Sequence, residues 1–176
     1  MMNNVNIPLL SVLVVMLISL CAFNTQAQNQ TGDLYGGLNV GYGFEVEEPS
    51  IGANGFYSIT DEIRAGAEFI WFFTDSGIDD VDFNVYEFNV NGHYIFQDED
   101  GLKLYGLAGI NHITFSWDTP NNQTGFRVAS SFSETGLNIG GGVEYDAGGF
   151  FLFGEPKFTL SDADQFSINV GARMQF

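Results

Sequence analysis

The stretch Phe166-Ser167-Ile168-Asn169-Val170-Gly171-Ala172-Arg173-Met174-Gln175-Phe176 decides how the rest of the chain is read. Phe166, Ile168, Val170, Ala172, Met174 and Phe176 alternate with Ser167, Asn169, Gly171, Arg173 and Gln175. A period of two sends the first set to one side of a β-strand and the second to the other. A strand of a soluble sandwich shows the same alternation, so what surrounds this one gives it its meaning.

At the opposite end an apolar stretch runs from Ile7 to Phe23, broken only by Pro8, Ser11 and Ser19. Asn24-Thr25-Gln26-Ala27 follows, with Thr25 and Ala27 suited to the −3 and −1 positions of a signal-peptidase site. Residues 1–27 therefore read as a secretory signal peptide cleaved after Ala27, although Met1 to Asn6 carry no Lys or Arg. Two other readings compete. The stretch approaches the length of a membrane anchor. Cys21 offers a lipidation site, but Leu20 stands where such a signal wants a small residue. Cleavage after Ala27 removes the only cysteine, leaving a mature chain, 28–176, without disulfide, thiol nucleophile or cysteine-based metal site.

Composition narrows the class further. The formal net charge is −17, which repels phosphates and argues against a nucleic-acid partner. Disorder needs low hydrophobicity. Here hydrophobic residues make up 45% and aromatic ones 15%, so the chain has much to cover. No mature segment gathers a run of about 18 apolar residues, so membrane insertion requires a closed barrel.

Walking back from the last strand, about eight alternating segments appear, as in the smallest membrane barrels. They are 33–44, 50–59, 62–72, 82–96, 102–117, 132–146, 150–160 and 166–176. The outward face of the first is Leu34, Leu38, Val40, Tyr42 and Phe44; that of the fourth is Tyr86, Phe88, Val90, Tyr94 and Phe96. The fifth is the least clean. Placing Tyr105, Leu107, Ile113, Phe115 and Trp117 outward sets Gly106, Ala108, His112, Thr114 and Ser116 inward. That choice turns Asn111 toward lipid, a cost that a bulge would relieve. Short turns at Thr60-Asp61, Gln97 to Gly101 and Ala147 to Gly149 alternate with connections at 45–49, 73–81, 118–131 and 161–165. Aromatic residues gather near both rims: Phe44, Trp71, Phe115, Trp117 and Phe166 at one, Tyr57, Tyr94, Phe96, Tyr105, Tyr145 and Phe176 at the other.

Three runs carry a family resemblance: Gly140-Gly141-Gly142-Val143-Glu144-Tyr145, Phe153-Gly154-Glu155-Pro156-Lys157, and the end from Asn169 to Phe176. With them the mature chain resembles the small OmpA/OmpX-type barrels of the porin-like outer-membrane group. The resemblance implies an all-β, eight-stranded antiparallel transmembrane barrel in the outer membrane of a Gram-negative bacterium. It also implies outer-membrane lipids and lipopolysaccharide as surroundings, and the barrel-assembly machinery as a partner that reads Phe176. None of these runs is a signature of activity.

So small a barrel has room inside only for side chains. The inward set includes Arg64, Lys157 and Arg173 with Glu68, Glu87, Glu144 and Glu155, and charges out of water must pair. We expect a structural ion-pair plug, with a narrow gated path for ions or small solutes as the alternative. His112, Thr114 and Glu134 invite comparison with small-barrel lipid A deacylases, but those use serine and face the lipid. His93 reads as a hydrogen-bonding lumen residue. Asp75, Asp79, Asp80 and Asp82 match no calcium-loop spacing. Asn122-Gln123-Thr124 has the form of a glycosylation sequon, which says little in a bacterial chain. Glycines 140–142 lie in a strand with no helix after them, so they are no phosphate loop. The expected protein is non-enzymatic and needs no cofactor or metal. Its role is structural in the envelope, or an interaction of the outer loops with an extracellular ligand. A lipid A-modifying enzyme and a soluble ligand-binding barrel are the competing classes.

Overall fold

The computed structural model describes residues 30–74, 82–120, 127–162 and 164–176. The signal-peptide reading of 1–27, the acidic residues Asp75, Asp79 and Asp80, and the sequon at Asn122 lie outside them. Eight strands follow in order: β1 (Leu34–Gly43), β2 (Glu48–Ser58), β3 (Ile63–Phe72), β4 (Asp82–Glu99), β5 (Leu102–Pro120), β6 (Arg127–Asp146), β7 (Phe151–Leu160) and β8 (Gln165–Gln175). Each pairs antiparallel with the next, and β8 returns to β1, with Tyr35 opposite Gln175 and Gly43 opposite Ser167. Beyond β8, the Phe176 N–H donates to the Leu34 carbonyl at 2.8 Å. Closure leaves the wall itself with no unpaired edge.

Local chemistry sets the tight turns at one end. Asp100 and Gly101 both have positive φ, 53° and 78°, the combination a two-residue type I′ hairpin requires. At the β2–β3 turn, Ile59 N–H donates to Ile63 O at 2.8 Å and Ile63 N–H to Thr60 Oγ1 at 3.0 Å. We call this the turn end and the opposite rim the loop end.

Alternation then sorts side chains by face. Leu38, Val40, Ile51, Phe69, Phe88, Val90, Ile110, Leu137, Ile139, Leu152, Ile168 and Val170 all lie exposed on the outside. An all-round apolar wall with its polar groups turned inward is the reverse of a soluble protein. It is the arrangement of a membrane-spanning barrel. Outward aromatics ring both borders, with Phe44, Trp71, Phe73 and Tyr86 near the loop end and Tyr57, Tyr94, Phe96, Tyr145 and Phe176 near the turn end. Val90 sits near the middle of its crossing, opposite Ala67 and Ile110. Val90→Arg is expected to cost the folded barrel about 2–4 kcal/mol in a urea titration in lipid vesicles. Val90→Leu should be close to neutral.

β5 corrects the sequence reading. Tyr105, Leu107 and Ile113 are buried inside, and Ala108, Ile110 and His112 lie exposed on the wall. The whole strand takes the opposite face from the one expected, with unbroken pairing to β6 and no bulge of its own. The register shift lies in β4, between Ile95 and Gln97. Asn111 drives the choice: turned inward it donates to Asn89 Oδ1 at 2.8 Å, whereas outward it would meet lipid unpaired. Tyr105 and Phe115 thus leave the expected girdles. Trp117 stacks on Phe83, ring centroids 5.6 Å apart.

The long connection expected at 118–131 is mostly strand. β5 runs to Pro120 and β6 starts at Arg127, with Trp117 opposite Ser130 and Thr119 opposite Val128. Likewise Glu48 and Pro49 belong to β2 and not to the preceding loop. β1, β2, β3, β7 and β8 have 10 or 11 residues, about what crossing a bilayer takes. β4, β5 and β6 have 18, 19 and 20; β6 starts at Arg127 but meets β7 only from Leu137, so it projects at the loop end with β5, whereas β4 passes β3 at both ends, with 82–84 at the loop end and 95–99 at the turn end.

Candidate functional site

Among the described residues the lumen concentrates the polar and charged side chains, and it is built in layers. Nearest the turn end, Tyr35, Phe56 and Phe151 form a buried aromatic floor, with Tyr35 and Phe151 edge to face at 5.8 Å. Lys103 Nζ lies 4.3 Å from the centre of the Phe151 ring and 3.9 Å from Asp98 Oδ2. Such a seat gives a buried cation an aromatic face as well as a carboxylate.

Above the floor sits the charge network. Arg64 grips Glu144 with both terminal nitrogens, at 3.1 and 2.8 Å. Arg173 donates to the same Glu144 at 2.9 Å, to Glu155 at 3.3 Å and to Asn54 Oδ1 at 3.0 Å. Tyr105 Oη donates to Glu155 Oε2 at 2.8 Å. Arg64 Nε–H donates to His93 Nδ1 at 3.0 Å, so that nitrogen carries no proton. His93 Nε2–H then points toward Glu155 Oε2, 3.7 Å away. The imidazole is held between rings, stacked on Tyr105 at 4.4 Å and tilted against Phe56 at 4.3 Å. Lys157 closes the network by reaching Glu68 at 3.2 Å and Glu87 at 3.6 Å.

All seven lumen charges expected from sequence, Arg64, Glu68, Glu87, Glu144, Glu155, Lys157 and Arg173, are brought together and buried. The structure adds Lys103, Tyr105 and His93. Among the described residues the buried charges then balance, four cations against four carboxylates. That balance matters because in low dielectric an unpaired charge costs several kcal/mol. Tyr105 escapes the sequence reading through the reversed face of β5. Its signal is Gly142, directly opposite: a Cβ there would come within 2.4 Å of the Tyr105 ring. The triple glycine makes room for a tyrosine.

Next comes a layer of carboxamides. Asn39, Asn54, Asn89, Asn91, Asn111, Asn138 and Asn169 all point inward. Asn138 donates to Asn89 and Asn91 at 2.8 and 2.9 Å, and Asn89 donates to Glu87 at 3.2 Å, which ties this layer to the charges below. At the loop end the lumen turns apolar again: Ile70, Phe72, Val85 and Ile113 pack together with Val46, Phe83 and Phe115 against them. The polar interior is therefore capped by hydrocarbon at the loop end and by an aromatic floor carrying the Lys103–Asp98 pair at the turn end.

His112, Thr114 and Glu134 do not form a triad. His112 faces outward, and its Nδ1 lies 3.0 Å from Thr135 Oγ1. Thr114 pairs with Ser133 at 3.0 Å. Glu134 lies on the opposite face of β6 from Thr135. The outward positions around His112 are Phe88, Ile110, Thr114, Ser133 and Leu137, none of them acidic. His93, expected in the lumen as a hydrogen-bonding group, is there.

No protein-family model matches the chain, and no curated protein matches it in sequence. Solved structures do match. The N-terminal β-barrel domain of Pseudomonas aeruginosa OprF superposes with a TM-score of 0.64 at 17% identity, covering 83% of this chain and 98% of that one. Ail, the attachment invasion locus protein of Yersinia pestis, gives 0.58 at 17%, covering 84% and 100%. Neisserial surface protein A gives 0.58 at 16%, covering 81% and 94%. At such identities the likeness is one of fold: the chain has the architecture of small eight-stranded outer-membrane barrels.

Proposed function

We propose that this chain is a non-enzymatic integral protein of a Gram-negative outer membrane, with a sealed lumen, whose work is done at its surface. The observation that carries this reading is the balanced charge network held between a hydrocarbon cap and an aromatic floor inside an apolar wall. A conducting barrel needs a continuous hydrated path, and the hydrocarbon cluster at the loop end interrupts one. Against catalysis stands the wall at His112, whose neighbours supply no carboxylate to orient an imidazole.

In this reading the turn end faces the periplasm, and lipids and lipopolysaccharide surround the wall. The barrel-assembly machinery inserts it, using the strand that ends in Phe176. That ring lies outward over Gly36, where it helps seal the β8–β1 seam. The expected result is that the protein migrates faster on SDS gels unboiled than boiled. Phe176→Ala should lower the shifted fraction in outer membranes more than it lowers stability after refolding. Migration that ignores boiling, in a protein soluble without detergent, would sink the membrane assignment.

Charge shapes the surface role. Ail has also been solved with the heparin analogue sucrose octasulfate. A polysulfate is a poor partner for this chain, because four of its five basic residues are buried in the lumen while the whole sequence carries 22 acidic ones. Cationic partners fit the surface better.

A further inference from the structure

Beyond the loop-end stopper the inner face of β4, β5 and β6 continues as an aromatic shelf. Strand parity puts Phe83, Phe115, Trp117 and Phe132 on that face. Register sets them in two adjacent rows, Phe83 opposite Trp117 and Phe115 opposite Phe132. The Phe83 and Trp117 rings stack with centroids 5.6 Å apart, and those of Phe115 and Phe132 lie 6.4 Å apart. Trp117 and Phe132 are diagonal neighbours across β5 and β6, a separation that aromatic side chains bridge. Phe83 and Phe115 rest on the apolar cluster beneath, and Thr74 Oγ1 donates to the Phe83 carbonyl at 2.7 Å, so the shelf has a fixed base. Its outer rings stay open, with Trp117 38% and Phe132 50% exposed.

Acids border the rings. Glu134, two residues along β6 from Phe132, shares their face and lies opposite Ile113 at the foot of the shelf. Across the rim, exposed Glu45 and Glu47 flank Val46, which packs on the same stopper. Exposed Asp162 and Asp164 sit in the connection whose Ser161 side chain crowds Gly136. The buried cations cannot answer these acids, because Arg64, Arg173, Lys157 and Lys103 are held by carboxylates deeper in the barrel.

We propose that the shelf of Phe83, Phe115, Trp117 and Phe132, with Glu134 at its foot, binds a soluble organic cation of the quaternary-ammonium class. The proposal rests on the surface-role reading and names the ligand's chemistry. Ring faces carry negative potential, so a cation seated on them is attracted, most strongly once it has shed water. A methylated ammonium has no N–H, so rings can cover it without leaving a donor unpaired. Its methyl groups cover exposed ring surface, and the acids supply the opposite charge. A neutral amphiphile gains nothing from those acids, and an anion is repelled. Lipid tails meet only the other face of these strands. A second copy of the chain brings the same net charge of −17 to the contact.

The chain has two tryptophans, Trp117 on the shelf and Trp71 on the lipid wall, so one label reports the site and its control together. The mature chain is made with fluorotryptophan and refolded in nanodiscs, and its fluorine NMR spectrum is followed during titration. Trp71→Phe assigns the two signals. The probes are choline and dimethylbutanol, its uncharged carbon isostere. Choline should move the Trp117 signal saturably and leave that of Trp71 in place, and dimethylbutanol should bind about fivefold more weakly. Phe132→Ala and Glu134→Gln should each weaken choline binding by about threefold, with the unboiled gel shift intact. Equal affinity for the two probes would reduce the shelf to a hydrophobic surface and overturn the site. Parallel movement of both tryptophan signals reports the membrane, and a Trp117 signal that moves with protein concentration before any probe is added reports self-association; either result overturns it too. Because the gel shift is read on the same preparation, absence of choline binding with the shift retained counts against the shelf and leaves the barrel reading standing.

Discussion

Replacing Glu144 with Leu is expected to cost the folded barrel about 3–5 kcal/mol, seen as a lower urea midpoint and a smaller unboiled-gel shift. One carboxylate holds two guanidiniums, Arg64 at 2.8 Å and Arg173 at 2.9 Å, in a place without solvent. Glu144→Gln should lie between, since the carboxamide still accepts one hydrogen bond but neutralises nothing. The neighbouring Val143→Leu, on the lipid side, should change stability by no more than about 0.5 kcal/mol. A further variant separates balance from attraction. Arg64→Met and Glu144→Leu together should recover much of the loss, because they remove one charge of each sign and leave Arg173 on Glu155, and buried ion pairs contribute little net stability once their desolvation is counted. The double change also takes the donor from His93 Nδ1, which limits the recovery.

Gly142→Val should be nearly as damaging, by about 3 kcal/mol, through crowding and not charge. The added Cβ would fall 2.4 Å from Tyr105 Cζ and Oη. Tyr105 cannot yield freely, because it stacks on His93 and donates to Glu155 at 2.8 Å. Shifting it would break that bond in the interior, where the orphaned groups have no water. Gly106→Ala is the matched control, since nothing lies within 4 Å of its Cβ position. Equal effects of the two substitutions would show that Tyr105 does not occupy the lumen.

Most of the wall is legible in the sequence because in the other strands charged and carboxamide residues mark the inward parity, even where Tyr35, Phe56, Ile70, Phe72, Val85 and Phe151 share that face. Glu144 between Val143 and Tyr145, or Arg173 between Ala172 and Met174, leaves no choice of side. β5 defeats that rule for a physical reason. Its inward row contributes to the charge network through Tyr105 and to the loop-end stopper through Ile113, so it is as apolar as the outward row. Hydrophobicity marks the lipid side only where the lumen is polar. Asn111 and Gly142 carry the correct answer, Asn111 by needing a partner and Gly142 by leaving a space opposite Tyr105. The projecting β5–β6 hairpin was hidden differently. Its Ser, Thr and Asn residues look like a loop, and the cross-strand pairs that order it, Phe115 with Phe132 and Trp117 with Ser130, have no sequence period. The inward charges are legible because a charge in an alternating strand of a membrane wall can face only the lumen. Lys103 is not, because it sits in β5, whose two rows are equally apolar.

The proposed function requires a lumen that is full and closed. The direct test is conductance of the refolded mature chain in planar bilayers, with insertion verified by the unboiled gel shift of the same preparation. No discrete current steps are expected from the wild-type protein, at any voltage the bilayer survives. Regular steps that change size in Arg173→Gln would mean that ions pass through the charge network, and the sealed lumen would have to be abandoned.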